Sequence, residues 1–234
     1  MKKILFISIF ISAQLSIWGQ KNQVYSIGSM SNMGKENFAP HIALDTLKTK
    51  KNLYGMGPLG RMQGEITVWK GQPYSVSVNE KGEGIVNKDW HIEAPFFVYA
   101  HVSKWKSFSF EYDINNLTDL EKKVAEIAKN NGYDLSTSFP FRLVGTFDEL
   151  TTHIVTPRSA DIKGYQADKK QADYTLLSIK GELLGFYSEK NQGEYTPKNS
   201  FIHVHFLNKK KTVMGHVDKI KMTGDKLTLY LPVQ

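Results

Sequence analysis

The chain has 234 residues, 41% of them hydrophobic and 23% charged, with a formal net charge of +7. That length supports one or two domains with a real core, and the balance is that of a globular chain rather than a disordered one. There is no cysteine, which excludes disulfides, thiolate nucleophiles, cysteine-type zinc sites and iron–sulfur clusters.

The first twenty residues, MKKILFISIFISAQLSIWGQ, pair a basic start (Lys2, Lys3) with an apolar run from Ile4 to Trp18. This is the pattern of a secretory signal peptide, too short for a comfortable membrane span, with cleavage expected near Gly19 or Gln20. Export to the periplasm or the outside follows, with no stable membrane anchor after cleavage. Removing Lys2 and Lys3 lowers the charge from +7 to +5. The remaining lysines are scattered (Lys48, Lys50, Lys51; Lys169, Lys170; Lys209 to Lys211) with no arginine-rich helix beside them. They read as a solvated surface, and no nucleic-acid partner is expected.

QVYSIGSM reads as a first strand, and a short helix is expected over 41–50. GEITVWKGQPYSVSV alternates around a Lys70-Gly71-Gln72-Pro73 turn and predicts a hairpin; PFFVYAHV predicts a buried strand. TDLEKKVAEIAKNNG is the clearest helix. Thr118 and Glu121 form a candidate capping box, Leu120, Val124, Ile127 and Ala128 an apolar face, and Gly132 a stop. FPFRLVGTF, THIVTP, TLLSIKGELLGFY, FIHVHFL, VMGHVDKIKM and KLTLYLP then predict strands. Many strands and few helices make the fold class α+β. A faint echo of Gly64-Glu65-Ile66 in Gly181-Glu182-Leu183 suggests two related halves, 20–135 and 136–234, built on mixed sheets.

FIHVHFLNKKKTVMGHV places three histidines in one predicted hairpin. Residues two apart on a strand share a face, so His203 and His205 project together, opposite Ile202, Val204 and Phe206. If Asn208-Lys209-Lys210-Lys211 is a four-residue loop, Leu207 pairs with Thr212 and His203 stands opposite His216. The three imidazoles then converge, as a zinc or another divalent transition metal would require. The same pattern also fits histidines with separate partners. His41, His91, His101 and His153 have no partner spacing and read as surface or core histidines, and Trp69, Trp90 and Trp105 as packing residues. No Walker loop, G-x-S-x-G elbow or dinucleotide fingerprint is present, so no nucleotide cofactor is expected.

The H-x-H … G-H element resembles that of the α-acetolactate decarboxylases. So, in the same order along the chain, do YGMGPLGRMQGEITVWKGQPYSV (a glycine-rich entry to a D-G-E hairpin), APFFVYAHV, FRLVGTFDELTTHIVTP (I-R-I-D-G-T-F) and GELLGFYSEKNQG. The resemblance spans about Val24 to Pro232. It implies an α+β fold of two related parts, a bound zinc on His203, His205 and His216, and conversion of 2-acetolactate to acetoin and carbon dioxide. It also implies that Glu65 and Arg142 face a small hydroxy-keto acid, and it is compatible with a homodimer. Glu65 would handle a proton or add a ligand, and Arg142 would hold a carboxylate or developing oxyanion.

Two departures bear on the substrate. Pro58 stands where the family carries threonine, which removes a hydroxyl and an amide hydrogen. No acid follows Asp225, whereas the family has a further acid in its tail. Activity on acetolactate is therefore expected to be lower, or directed to a related hydroxy-keto acid. The other readings are a degenerate decarboxylase that only binds metal or ligand, and a non-catalytic module like the small plants-and-prokaryotes-conserved domain. The second is about half as long and lacks the Glu65 and Arg142 segments.

Overall fold

A computed structural model describes residues 22–35, 37–223 and 226–234; the expected signal peptide lies outside the described residues. In chain order the elements are β1 (Val24–Gly28), α1 (Met30–Met33), β2 (Ile42–Ala43), β3 (Leu53–Leu59), β4 (Gly64–Trp69), β5 (Gln72–Val78), β6 (Gly84–Asn87), β7 (Glu93–Ala94), β8 (Phe96–His101), β9 (Trp105–Glu111), α2 (Leu117–Asn130), β10 (Phe139–Val155), β11 (Gln171–Tyr187), β12 (Ile202–Asn208), β13 (Met214–Lys221) and β14 (Lys226–Pro232). The α+β class is as expected.

Two six-stranded sheets carry the fold, in the orders β1-β8-β3-β4-β5-β6 and β11-β12-β13-β10-β14-β9. β10 also pairs with β11 along nearly its whole length, so the second sheet closes on itself. The strand pairings are antiparallel rather than mixed. β9 belongs to the second sheet. The sheets therefore divide between His101 and Trp105.

Alternation along each strand builds three cores. Val204, Phe206, Phe141, Leu143 and Leu183 pack under α2; Ile66, Val68, Leu53 and Phe97 pack on the outer face of the first sheet. Between the sheets, Met56, Val76, Phe96 and Val98 meet Leu184, Phe186, Leu207 and Met214. The candidate site lies in this shared layer.

Several local expectations shift. The segment 41–50 forms β2 and a single 3-10 turn, Leu44–Leu47. The β4–β5 turn is only Lys70-Gly71, both at positive φ (52° and 75°), while Trp69 pairs with Gln72 and Pro73 lies inside β5. α2 is capped by Asn116, whose Oδ1 accepts the Asp119 N–H at 2.9 Å, rather than by Thr118. Glu121 instead accepts the Phe201 N–H (2.7 Å) and the Ser200 hydroxyl (2.8 Å), tying α2 to the start of the histidine strand. FPFRLVGTF and THIVTP are one strand, β10, with a register shift between Thr151 and Thr152. Between Phe141 and Val155 there is no proline, so nothing there ends the ladder.

Candidate functional site

β12 sends Val204 and Phe206 into the α2 core, and period two sends His203 and His205 into the inter-sheet layer, 2% and 1% exposed. The hairpin register differs from the expected one. Asn208 N–H donates to the Val213 carbonyl, Leu207 pairs with Met214, and His205, not His203, stands opposite His216. The slip is two residues, so each side chain keeps its face. Ligand-type atoms of His203, His205 and His216 all lie within 4.8 Å of one another. His203 Nε2 and His216 Nδ1 are 3.1 Å apart.

The surroundings select which ring nitrogens carry protons. His203 Nδ1–H donates to the Tyr195 carbonyl at 2.9 Å, leaving the Nε2 lone pair directed at His216. His205 Nδ1 lies 3.0 Å from Thr67 Oγ1. Its Nε2 is buried and has no hydrogen-bond partner among the described residues. Burial keeps all three rings neutral: His203 is pushed down to about 4, and His205 and His216 well below the usual imidazole range. Neutral, buried, convergent nitrogens, one of them orphaned, fit a divalent cation. Two nitrogens bound tetrahedrally at about 2.0–2.1 Å would sit about 3.3 Å apart, close to the His203–His216 spacing.

Glu65 projects from β4 on the same face as Thr67 and Trp69 and is 3% exposed. The preceding residue must be glycine. Gly64 has φ +152°, and a Cβ there would lie 1.8 Å from the Val76 carbonyl oxygen. Glu65 Oε1 accepts the Val155 N–H at 3.3 Å and lies 3.8 Å from His153 Nε2, and Oε2 lies 3.7 Å from His205 Nε2. Burial raises its pKa to about 7, against the opposing pull of His153 and the Val155 amide.

His153, read from sequence as an unpartnered histidine, belongs to this cluster. It is the cross-strand partner of His216, with ring centroids 4.6 Å apart. Its Nδ1 is 2.8 Å from Asp218 Oδ2. Burial pulls its pKa down, but Asp218 and Glu65 outweigh that and hold it above the usual value. Only the β10–β13 register reveals this, and no local motif encodes it.

Arg142 shares the histidines' face of the second sheet and stands two strands from His205. The row Tyr230–Arg142–Leu184–His205–His216–His153 crosses the sheet, and Leu184 separates Arg142 from His205. Two strand spacings are roughly 10 Å. Its guanidinium bonds Glu182 at 2.5 Å and lies over Trp69, Trp105 and Tyr230 at 4.9, 5.3 and 4.7 Å. The echoed glutamates thus have different settings: Glu65 beside histidines, Glu182 beside an arginine.

Metal-free protein should be acid-labile. The unfolded chain protonates His203 near 6.5 and the folded chain only near 4, so its stabilisation is complete above 6.5 and is lost as pH falls towards 4. That is about 3 kcal/mol for this residue. His205 and His216 act in the same direction. Glu65 opposes them: its folded pKa is raised, so its contribution is lost as pH rises from about 4.5 to about 7. His153, also raised, likewise favours the acid side. The His203 and Glu65 shifts are of similar size and opposite sense, so the balance is tipped by the two further depressed histidines against His153. Urea melts of chelator-treated protein should therefore show lower stability at pH 4.5 than at pH 7, and His203→Gln should shrink the difference.

A buried triad of neutral histidines able to hold a metal lies beside an acid tuned towards neutrality, an arrangement of a kind found in enzyme active sites. The family model described as alpha-acetolactate decarboxylase matches residues 24–231, and the chain belongs to that family of carboxy-lyases. An alpha-acetolactate decarboxylase of Brevibacillus brevis is 20% identical over 210 residues, covering 89% of this chain and 70% of that protein. One from Streptococcus thermophilus is 23% identical over 163 residues, covering 70% and 65%. The crystal structure of alpha-acetolactate decarboxylase from Bacillus subtilis strain 168 superposes with a TM-score of 0.70 at 16% identity, covering 90% of this chain and 86% of that one. At this identity, the superposition speaks for the fold.

Proposed function

We propose that this protein decarboxylates 2-acetolactate, or a closely related 2-hydroxy-3-oxo acid, at a divalent metal site, with zinc the expected ion. His203, His205 and His216 would hold the ion. The observation that carries the reading is Glu65: a carboxyl 3% exposed, with pKa about 7, set 3.7 Å from an orphaned histidine nitrogen.

A bound divalent ion supplies Lewis-acid polarisation of the keto oxygen. In the reaction, the bond between the carboxylate carbon and the hydroxyl-bearing carbon breaks. Its electron pair moves towards the ketone, and carbon dioxide leaves. The enediolate then takes one proton at the carbon that lost the carboxylate, giving acetoin. Glu65 is the proton donor in this scheme, because a group with pKa near the working pH is both substantially protonated and ready to give its proton up. The Val155 amide holds Oε1, and the two imidazoles flank the carboxyl, so its approach is fixed before substrate enters. The Tyr195 carbonyl fixes the tautomer of His203 from behind, and the Thr67 hydroxyl orients the His205 ring.

The test is acetoin formation from acetolactate against a no-enzyme control, since acetolactate also decarboxylates spontaneously. Chelation should bring the rate to the control, and added zinc should restore it. A rate equal to the control before chelation, across related keto acids, would favour the metal-binding-only reading.

A further inference from the structure

Three lysines follow Asn208 in the β12–β13 hairpin. Lys209 and Lys210 are exposed, whereas Lys211 is partly buried. Asn208 fixes the turn. Its Oδ1 accepts the Thr212 and Val213 N–H groups at 2.8 and 3.2 Å, and its carbonyl accepts the Lys211 N–H at 3.0 Å. Lys211 has φ +59°, a conformation that glycine takes freely and lysine takes at a cost. Its side chain lies back over the inter-sheet layer, with Nζ 4.6 Å from the centroid of the Trp69 ring. Trp69 is two residues from Thr67 on the same face of β4, and Thr67 meets His205 at 3.0 Å. The ammonium therefore stands one side chain along β4 from the histidine site.

Arg142 shares that aromatic wall, its guanidinium 4.9 Å from Trp69. Glu182 bonds Arg142 and also attracts Lys211, against the repulsion of Arg142 and Lys70. Lys211 itself forms no ion pair among the described residues. Cations thus outnumber the one carboxylate that reaches them. Arg142 Nε is also buried, with no hydrogen-bond partner among the described residues. Aromatic rings keep water away and strengthen the field of an uncompensated positive charge. The group that completes such a place is a small anion that reaches it from the histidine site.

We propose that Lys211 is a specificity-determining residue: beside Arg142, its ammonium receives the negative charge of the substrate's carboxylate, so the site selects an acid over its neutral counterpart. This rests on the decarboxylase reading for the identity of the acid. The strained turn residue is then kept for its side chain rather than for the turn. Its contact with the carboxylate is made on binding and is not strengthened as the carbon–carbon bond breaks. Such a contact lowers KM without raising kcat.

The probe is 2-hydroxy-2-methylpropanoate, which has the hydroxyl and the carboxylate but no ketone and cannot react. Its neutral counterpart is 2-methylpropane-1,2-diol. NMR titration into zinc-loaded full-length protein should show acid binding weakened about tenfold by Lys211→Met, as for one lost charge-assisted pair. Methionine keeps the length of the side chain and its packing on Trp69, so diol binding and zinc content should not change. Lys211→Arg keeps the charge and should bind the acid within about threefold of wild type. Lys210→Met makes the same charge change on the exposed part of the hairpin and should stay within about twofold, because solvent and salt screen it. For acetolactate, Lys211→Met should raise KM about tenfold while kcat moves by less than about threefold. If Lys211→Met does not fold, Lys211→Gln is read by the same limits. A loss of acid binding smaller than about fivefold overturns the inference. So does an equal loss for the diol, an equal loss in Lys211→Arg or Lys210→Met, or a wild type that binds the acid no better than the diol. A wild type that binds the acid through Lys211 yet makes no acetoin defeats the decarboxylase reading and leaves this one standing.

Discussion

Alanine at His205 is expected to empty the metal site. Of the three histidines, His205 has a buried ring nitrogen, Nε2, with no hydrogen-bond partner among the described residues. Loss of an outer-shell partner costs about 10–100-fold in metal affinity, and removing a ligand outright should exceed the upper end of that range. Thr67→Val, which keeps the side-chain shape but removes the hydroxyl 3.0 Å from His205 Nδ1, should fall inside it. Elemental analysis after exhaustive dialysis separates the three proteins. Equal zinc in wild type and His205→Ala would mean that the hairpin does not hold the ion. The variant should still fold, because His205 contributes no ladder bond through its side chain and leaves Val204 and Phe206 in their core.

The second large effect is expected at Glu65. Glutamine keeps the shape of the side chain and its acceptor for the Val155 amide, but has no proton to deliver. If Glu65 is the proton donor, kcat should drop about 10²–10⁴-fold while zinc content stays at the wild-type level. The same change removes an ionisable group whose folded pKa is about 7. Metal-free Glu65→Gln should therefore be more stable than metal-free wild type at pH 8, where the wild type must keep a buried carboxylate ionised. Loss of zinc along with activity would instead assign Glu65 to the ligand set. Those two outcomes settle the choice between donor and ligand that the sequence left open.

What was legible in the sequence followed from period two. His203 and His205 share a face whatever their partner strand, and His216 joined them because the true hairpin register differs from the assumed one by an even number of residues. An odd error would have turned His216 into the α2 core. Glu65 was legible only through its family resemblance, since a glutamate after a glycine in a strand has no chemical signature of its own. Its burial and raised pKa come from the second sheet packing across β4. His153 was not legible at all. Its neighbour His216 lies 63 residues away on a strand that pairs with β10 only because the long β10–β11 hairpin brings the second sheet round on itself. Arg142 shows the opposite limit: its face is the histidine face, but the strand order puts Leu184 between them. The helix expected over 41–50 failed for a local reason. Its apolar residues Ile42, Leu44 and Leu47 are buried as a cap on the outer face of the first sheet, and one 3-10 turn suffices for that.

The handedness of the product tests the central claim most directly. Spontaneous decarboxylation protonates a free enediolate from either side and yields racemic acetoin. Glu65, fixed by the Val155 amide on one side of a buried site, should deliver its proton to a single face. Chiral chromatography of acetoin made from acetolactate by zinc-loaded wild-type protein, corrected for the no-enzyme background, should therefore show one enantiomer in large excess, with the excess lost in Glu65→Gln. Racemic acetoin from the wild-type protein would contradict the account.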